Sequence, residues 1–132
     1  MIVVDTTVWI DFLEERNTPF DLHLKRLVEE GASLALTDII YCEVLQGIRE
    51  DKTYRRTRAI LRSFPILRLR RLKTLDRAVA IYRDCRKKGL TIRSTVDCLI
   101  AATCLEFDGE LYHNDRDFDA IAKVSGLKVY RA

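Results

Sequence analysis

Apolar residues along this chain switch repeatedly between two spacings, and each switch marks a predicted element. "IVV" at 2–4 is a short continuous apolar run ending at Asp5, as expected of a buried strand. From Thr6 to Glu15, Val8, Ile10, Phe12 and Leu13 stand among polar residues at helical spacing. A second helix is predicted from Phe20 to Glu30, stopping at Gly31, and "SLALT" at 33–37 reads as the next strand. "DIIYCEVLQGIRE" at 38–50 is helical, and a basic helix over 52–63 is closed by Pro65. "ILRLR" at 66–70 alternates apolar and basic residues, the pattern of a half-exposed or edge strand. Helices follow over Leu75–Lys88, 95–107 and 115–125, with strands at "ELYH" (110–113) and "LKVY" (127–130). Strands alternating with helices predict one α/β domain, residues 1–132, with a mostly parallel sheet.

Composition narrows the class. The chain is 48% hydrophobic and 33% charged with 5 Gly and 2 Pro, a globular profile. No apolar run approaches the roughly 20 residues of a membrane helix. The start, "MIVVDTTVWIDFLEE", has no basic leader and turns acidic at once, so a cytoplasmic protein is expected. The cysteines, Cys42, Cys85, Cys98 and Cys104, form no CxxC pair, and the two histidines are far apart, which argues against zinc. Cys42, Cys98 and Cys104 lie in apolar segments and are expected to be buried, reduced thiols.

The net charge of +3 conceals an asymmetry. Residues 49–93 hold 16 Lys+Arg against 4 Asp+Glu, whereas the remainder holds 7 against 16. A basic block of this kind suits a polyanionic partner or simply a solvated helix surface, and it becomes informative only beside a phosphate-cleaving site.

Such a site is suggested by the acids. Open parallel sheets bind ligands at the carboxyl ends of their strands. Asp5 ends the first strand, Glu43 lies in the second turn of the helix after the second, Asp115 and Asp117 follow "ELYH", and Asp97 opens the helix 95–107. Each also has a purely structural reading. Asp5 and Asp115 suit N-caps, Asp97 could complete a capping box with Ser94, and Asp117 and Asp119 favour a helix dipole. Glu43 is too deep in its helix to cap it, and Asp97 begins a helix that is apolar nearly all round. Like charges ~4 Å apart repel by ~4 kcal/mol at an effective dielectric of ~20. Clustered acids therefore need a cation or protons, and an all-oxygen donor set without Cys or His suits Mg²⁺ or Mn²⁺.

At these residues the chain resembles the PIN-domain ribonucleases of the VapC toxin type. The resemblance is carried by "VVDTTVWIDFL" (3–13), "TDIIYCEVLQGI" (37–48), "TVDCLIAATC" (95–104) and "LYHNDRDFDAIA" (111–122), in family order and spacing. It implies about five parallel strands flanked by helices, and divalent-dependent endonucleolytic cleavage of RNA. It also implies a homodimer inhibited by a cognate antitoxin. The family's acids fall on Asp5, Glu43, Asp97 and Asp115, with Asp117 additional and the hydroxyl after the first acid on Thr6. Relatives often carry Thr or Ser two residues before the fourth acid, where this chain has His113.

The expected roles follow. Asp5, Asp97 and Asp115 would hold metal, and Glu43 would be a ligand or would orient the attacking water. Thr6 and Asn114 would make polar contacts. Arg55, Arg58 and Arg62, three and four residues apart on one helix, are the candidates for the RNA backbone. Two other readings compete. A phosphatase with an aspartyl nucleophile would want Asp two residues after Asp5, where Thr7 stands. A non-catalytic PIN-like RNA-binding module would use its acids only as caps and surface charge.

Overall fold

The computed structural model describes residues 1–132. Its elements run β1 (Ile2–Val4), α1 (Thr6–Leu13), α2 (Pro19–Glu29), β2 (Leu34–Thr37), α3 (Asp38–Gln46), α4 (Asp51–Arg62), β3 (Ile66–Leu67), α5 (Leu72–Lys87), α6 (Thr95–Glu106), β4 (Glu110–Tyr112), α7 (Arg116–Val124) and β5 (Lys128–Val129). All five strands are parallel in one sheet, ordered β3-β2-β1-β4-β5. Ile2 pairs with Leu34 on one side and Glu110 on the other, so β1 is the central strand. Parallel neighbours require crossovers, and helices supply each of them.

The central strands are apolar on both faces because both faces are covered. Val3, Val4, Ala35, Leu36 and Leu111 are fully buried, and the apolar runs show no alternation. α6 buries Cys98, Ile100, Ala101, Ala102, Thr103 and Cys104, as its apolar circumference predicted. It packs on α5 and α7, while α1 packs on α2 and α3. Trp9 anchors the α1 side, fully buried with its ring 5.3 Å from Phe64 and 6.1 Å from Phe12. Gly109 permits the turn into β4, since a Cβ there would stand 2.8 Å from Val3 Cγ2.

Several boundaries differ from the sequence reading. β3 spans two residues, not five: the Leu69 N–H leaves the ladder and donates to Asp38 Oδ2 at 2.9 Å. It is nevertheless an edge strand, as its alternation suggested. β5 is likewise two residues. α3 stops at Gln46 with Gly47 as its cap, and α4 begins separately at Asp51. α5 starts at Leu72, a turn earlier than the apolar periodicity suggested, because its first turn is largely exposed. The expected burial of Cys42 is wrong. α3 faces the core through Ile40, Val44 and Leu45, so Cys42 lies on the opposite side, exposed. Cys85, Cys98 and Cys104 are buried, and all four thiols are free.

Candidate metal centre

The strand order reverses at β1: the chain adds β2 and β3 on one side, then returns to place β4 and β5 on the other. The crevice at such a reversal, outside the carboxyl ends of the strands, is where open α/β sheets take ligands. Asp5 follows β1 directly, and its N–H donates to the Tyr112 carbonyl at the end of β4 at 2.9 Å. This places Asp5 beside the loop that carries His113, Asn114 and Asp115.

Asp5 is 3% exposed and caps α1. Its Oδ2 accepts from the Thr7 hydroxyl at 2.8 Å and from the Thr7 N–H at 3.3 Å. The Thr7 hydroxyl in turn accepts the Asn114 N–H at 3.2 Å and so ties the ends of β1 and β4 together. The Thr6 hydroxyl donates to Glu43 Oε1 at 2.6 Å, holding the half-buried Glu43 of α3 against the start of α1.

Asp97, Asp115 and Asp117 form the tightest group, each offering an oxygen within 4.8 Å of the others. Asp115 caps α7, with Oδ1 accepting the Asp117 N–H at 2.9 Å. Asp97 makes no capping box: Ser94 caps α6 by accepting the Val96 N–H, and the Asp97 carboxylate has no hydrogen-bond donor on it. Arg93, in the loop before α6, reaches across to the other two acids. Its Nη2 donates to Asp115 Oδ1 and its Nε to Asp117 Oδ2, both at 3.0 Å, and its backbone N–H donates to Asp117 Oδ2 at 3.3 Å.

The electrostatics separate these acids. Burial, then the charges of Asp115, Asp5, Asp117 and Glu43, push Asp97 up to about 7. Burial also lifts Asp5 to about 6, opposed by its Thr7 hydrogen bonds and reinforced by the charge of Glu43. Burial acts to raise Asp117 too, but the hydrogen bonds and charge of Arg93 outweigh it and hold this carboxyl below its usual range. An all-carboxylate cluster with one member bare of donors and two acids resisting ionisation fits a hard divalent cation such as Mg²⁺ or Mn²⁺.

Of the three residues expected as ligands, Asp97 and Asp115 belong to the tight group; Asp5 stands next to it, and Asp117 takes the third place. His113 is buried, and its Nδ1 accepts the Asp115 N–H at 3.0 Å. Burial lowers its pKa, which favours the neutral ring this contact needs. Asn114 contributes its backbone N–H, and its side chain is exposed. Asp119 is exposed, 3.6 Å from His113 Nε2.

Among the basic candidates, Arg58 lies over the Tyr54 ring at 5.5 Å. Arg62 donates to the Tyr41 hydroxyl at 2.9 Å, and Arg55 is exposed. Sequence reasoning missed Arg93, which pairs with residues 22 and 24 positions away. It also missed Arg56, which lines a cavity of about 910 Å³ together with Glu43.

The PIN domain family model matches residues 2–124. The chain is 33% identical over 130 residues to VapC ribonuclease Mb1587 of Mycobacterium bovis and to ribonuclease VapC11 of Mycobacterium tuberculosis, covering 98% of this chain and 97% of each relative. Among solved structures it resembles VapBC2 of Rickettsia felis bound to a DNA fragment from its promoter, with TM-score 0.77 and 18% identity over 98% of both chains. It also resembles FitAcB of Neisseria gonorrhoeae, with TM-score 0.73 and 23% identity over 99% of this chain and 97% of that one. The chain belongs to the PIN-domain family, and its curated relatives are ribonucleases of the VapC type.

Proposed function

We propose that the protein is a divalent-metal-dependent endoribonuclease that acts as the toxin of a toxin–antitoxin pair. The observation that carries this reading is the carboxylate cluster at the topological reversal, in a chain with VapC ribonucleases as full-length relatives. Asp97, Asp115 and Asp117 would hold Mg²⁺ or Mn²⁺, with Asp5 beside them as a direct or water-mediated ligand. The bound ion would make water nucleophilic and neutralise charge on the phosphodiester. Thr6 donates to only one oxygen of Glu43, which leaves the other to orient the attacking water. Arg55, Arg58 and Arg62 are the candidates to hold the RNA backbone, which they would do without reading its sequence.

Two surface features support the proposed partners. The cavity of about 910 Å³ lies between α1–α2 and α3–α4, lined by Phe12, Leu13, Leu22, Val44, Ile48 and Ile60 among others. An amphipathic antitoxin segment seated there would cover Glu43 and silence the site. Leu72, Leu75 and Val79 form an exposed apolar stripe on α5, suited to a second copy of this chain in a homodimer. No helix is long and apolar enough to cross a membrane, in keeping with a toxin acting in the cytoplasm.

The test is direct. Purified protein incubated with single-stranded and structured RNA should cleave in Mg²⁺ or Mn²⁺ and not in excess EDTA. Asp97→Asn should be inactive while folded. Undiminished cleavage in EDTA, or full activity of the variant, overturns the reading.

A further inference from the structure

We propose that Arg93 is a positioning residue for the metal centre, the fork that fixes which oxygens of Asp115 and Asp117 face the ion; this rests on the metal-dependent reading above. Arg93 contacts two acids through three donors, yet it uses only one oxygen of each. Asp115 Oδ1 takes Nη2, and Asp117 Oδ2 takes both Nε and the Arg93 backbone N–H. Asp115 Oδ1 also takes the capping N–H of Asp117. Asp115 Oδ2 and Asp117 Oδ1 are left without a donor, as is the whole Asp97 carboxylate.

This division distinguishes a positioning residue from a competitor. A cation that merely substituted for metal would spread over the free carboxylate oxygens of the group. Arg93 instead occupies one oxygen of each acid and leaves the other without a donor. Asp117, 5% exposed, is fixed from two directions, since a backbone N–H and a guanidinium N–H meet on the same atom. The connection is also short: Arg93 precedes the α6 cap, and Asp97 lies in the first turn of α6, so one loop places both the third carboxylate and the fork. Ligating carboxylates commonly depend on outer hydrogen bonds of this kind for their orientation.

Lysine cannot reproduce the fork, because one ammonium is a point charge whereas guanidinium presents donors in a fixed plane. The experiment is calorimetric titration of the full chain with Mn²⁺, comparing wild type with Arg93→Ala, Arg93→Lys and Asp97→Asn, each first shown folded by circular dichroism. Arg93→Ala should weaken Mn²⁺ binding by about 10–100-fold. Arg93→Lys should recover only part of that loss. Unchanged or tighter binding by Arg93→Ala overturns the proposal, because Arg93 would then be indifferent to the ion or compete with it. Wild-type affinity in Arg93→Lys also overturns it by reducing the role to net charge, and this arm decides alone if the alanine variant does not fold. A wild type that binds no Mn²⁺ removes the metal reading itself. By contrast, wild-type binding that is lost in Asp97→Asn and kept in Arg93→Ala defeats only the role of Arg93.

Discussion

Replacing Asp5 with Asn should stabilise the metal-free protein at alkaline pH and leave it nearly unchanged at acid pH. Asp5 is 3% exposed, and its carboxyl is pushed from 3.8 up to about 6. Above that value the folded protein carries a buried charge that the unfolded chain would solvate. A rise of ~2 units corresponds to ~3 kcal/mol at ~1.4 kcal/mol per unit. The sign follows from proton counts. Between about 4 and 6 the folded state binds more protons than the unfolded one, so stability falls as pH rises. Asp97, lifted to about 7, adds a fall of the same sign, reduced because it is only half-buried. Asparagine cannot ionise, yet it caps helices as well as aspartate does and can still accept from Thr7. In EDTA, Asp5→Asn should therefore match wild type near pH 4 and exceed it by up to ~3 kcal/mol at pH 8. Urea denaturation followed by circular dichroism measures both, and saturating Mn²⁺ should reverse the order by stabilising wild type more. An Asp5→Asn difference that is the same at pH 4 and pH 8 would refute the buried-charge reasoning.

Other outcomes are equally open to measurement. Asp97→Asn should lose more cleavage activity than the roughly 100-fold typical of outer-shell changes; single-turnover RNA cleavage at saturating Mn²⁺ tests this. Gly109→Ala should destabilise by about 1–3 kcal/mol, because its methyl would meet Val3 Cγ2 at 2.8 Å; a urea midpoint equal to wild type contradicts that packing. In an inactive Asp5→Asn background, the combined Arg55→Ala, Arg58→Ala and Arg62→Ala changes should flatten the salt dependence of RNA binding, by roughly 0.7 in slope per lost phosphate contact. An unchanged slope moves the RNA surface to Arg68–Lys73 or Arg86–Arg93. Val79→Glu should convert a dimer into a monomer by light scattering, and an unaltered mass places the dimer face elsewhere.

Much of the architecture was legible because hydrophobic patterns depend only on local sequence. β1, β2 and α6 were readable as buried because their residues are apolar on every side. The ends of β3 and α5 were not, because tertiary contacts decide them. Asp38, from another element, captures the Leu69 N–H, and the first turn of α5 carries leucines that face solvent. Cys42 was misplaced by treating an apolar segment as uniformly buried, when α3 buries a single face. At the site, acids at strand ends could be picked out one by one. Their division of labour could not, since the promotion of Asp117 into the tight group depends on distances across the fold. Arg93 was counted only as part of a basic stretch, because nothing within four residues of it reveals partners more than twenty positions away.

The strand order also bears on biosynthesis. β1 is made first, but its neighbour β4 is among the last strands to be made, and Asp5 lies beside Asp115 only once β4 has docked. A ribosome-bound chain that has released β1, β2 and β3 therefore has Asp5 and Glu43 but neither Asp115 nor Asp117. Pairing between such distant segments forms late in folding. The carboxylate cluster therefore cannot assemble until residues 110–117 have been made and β4 has docked beside β1.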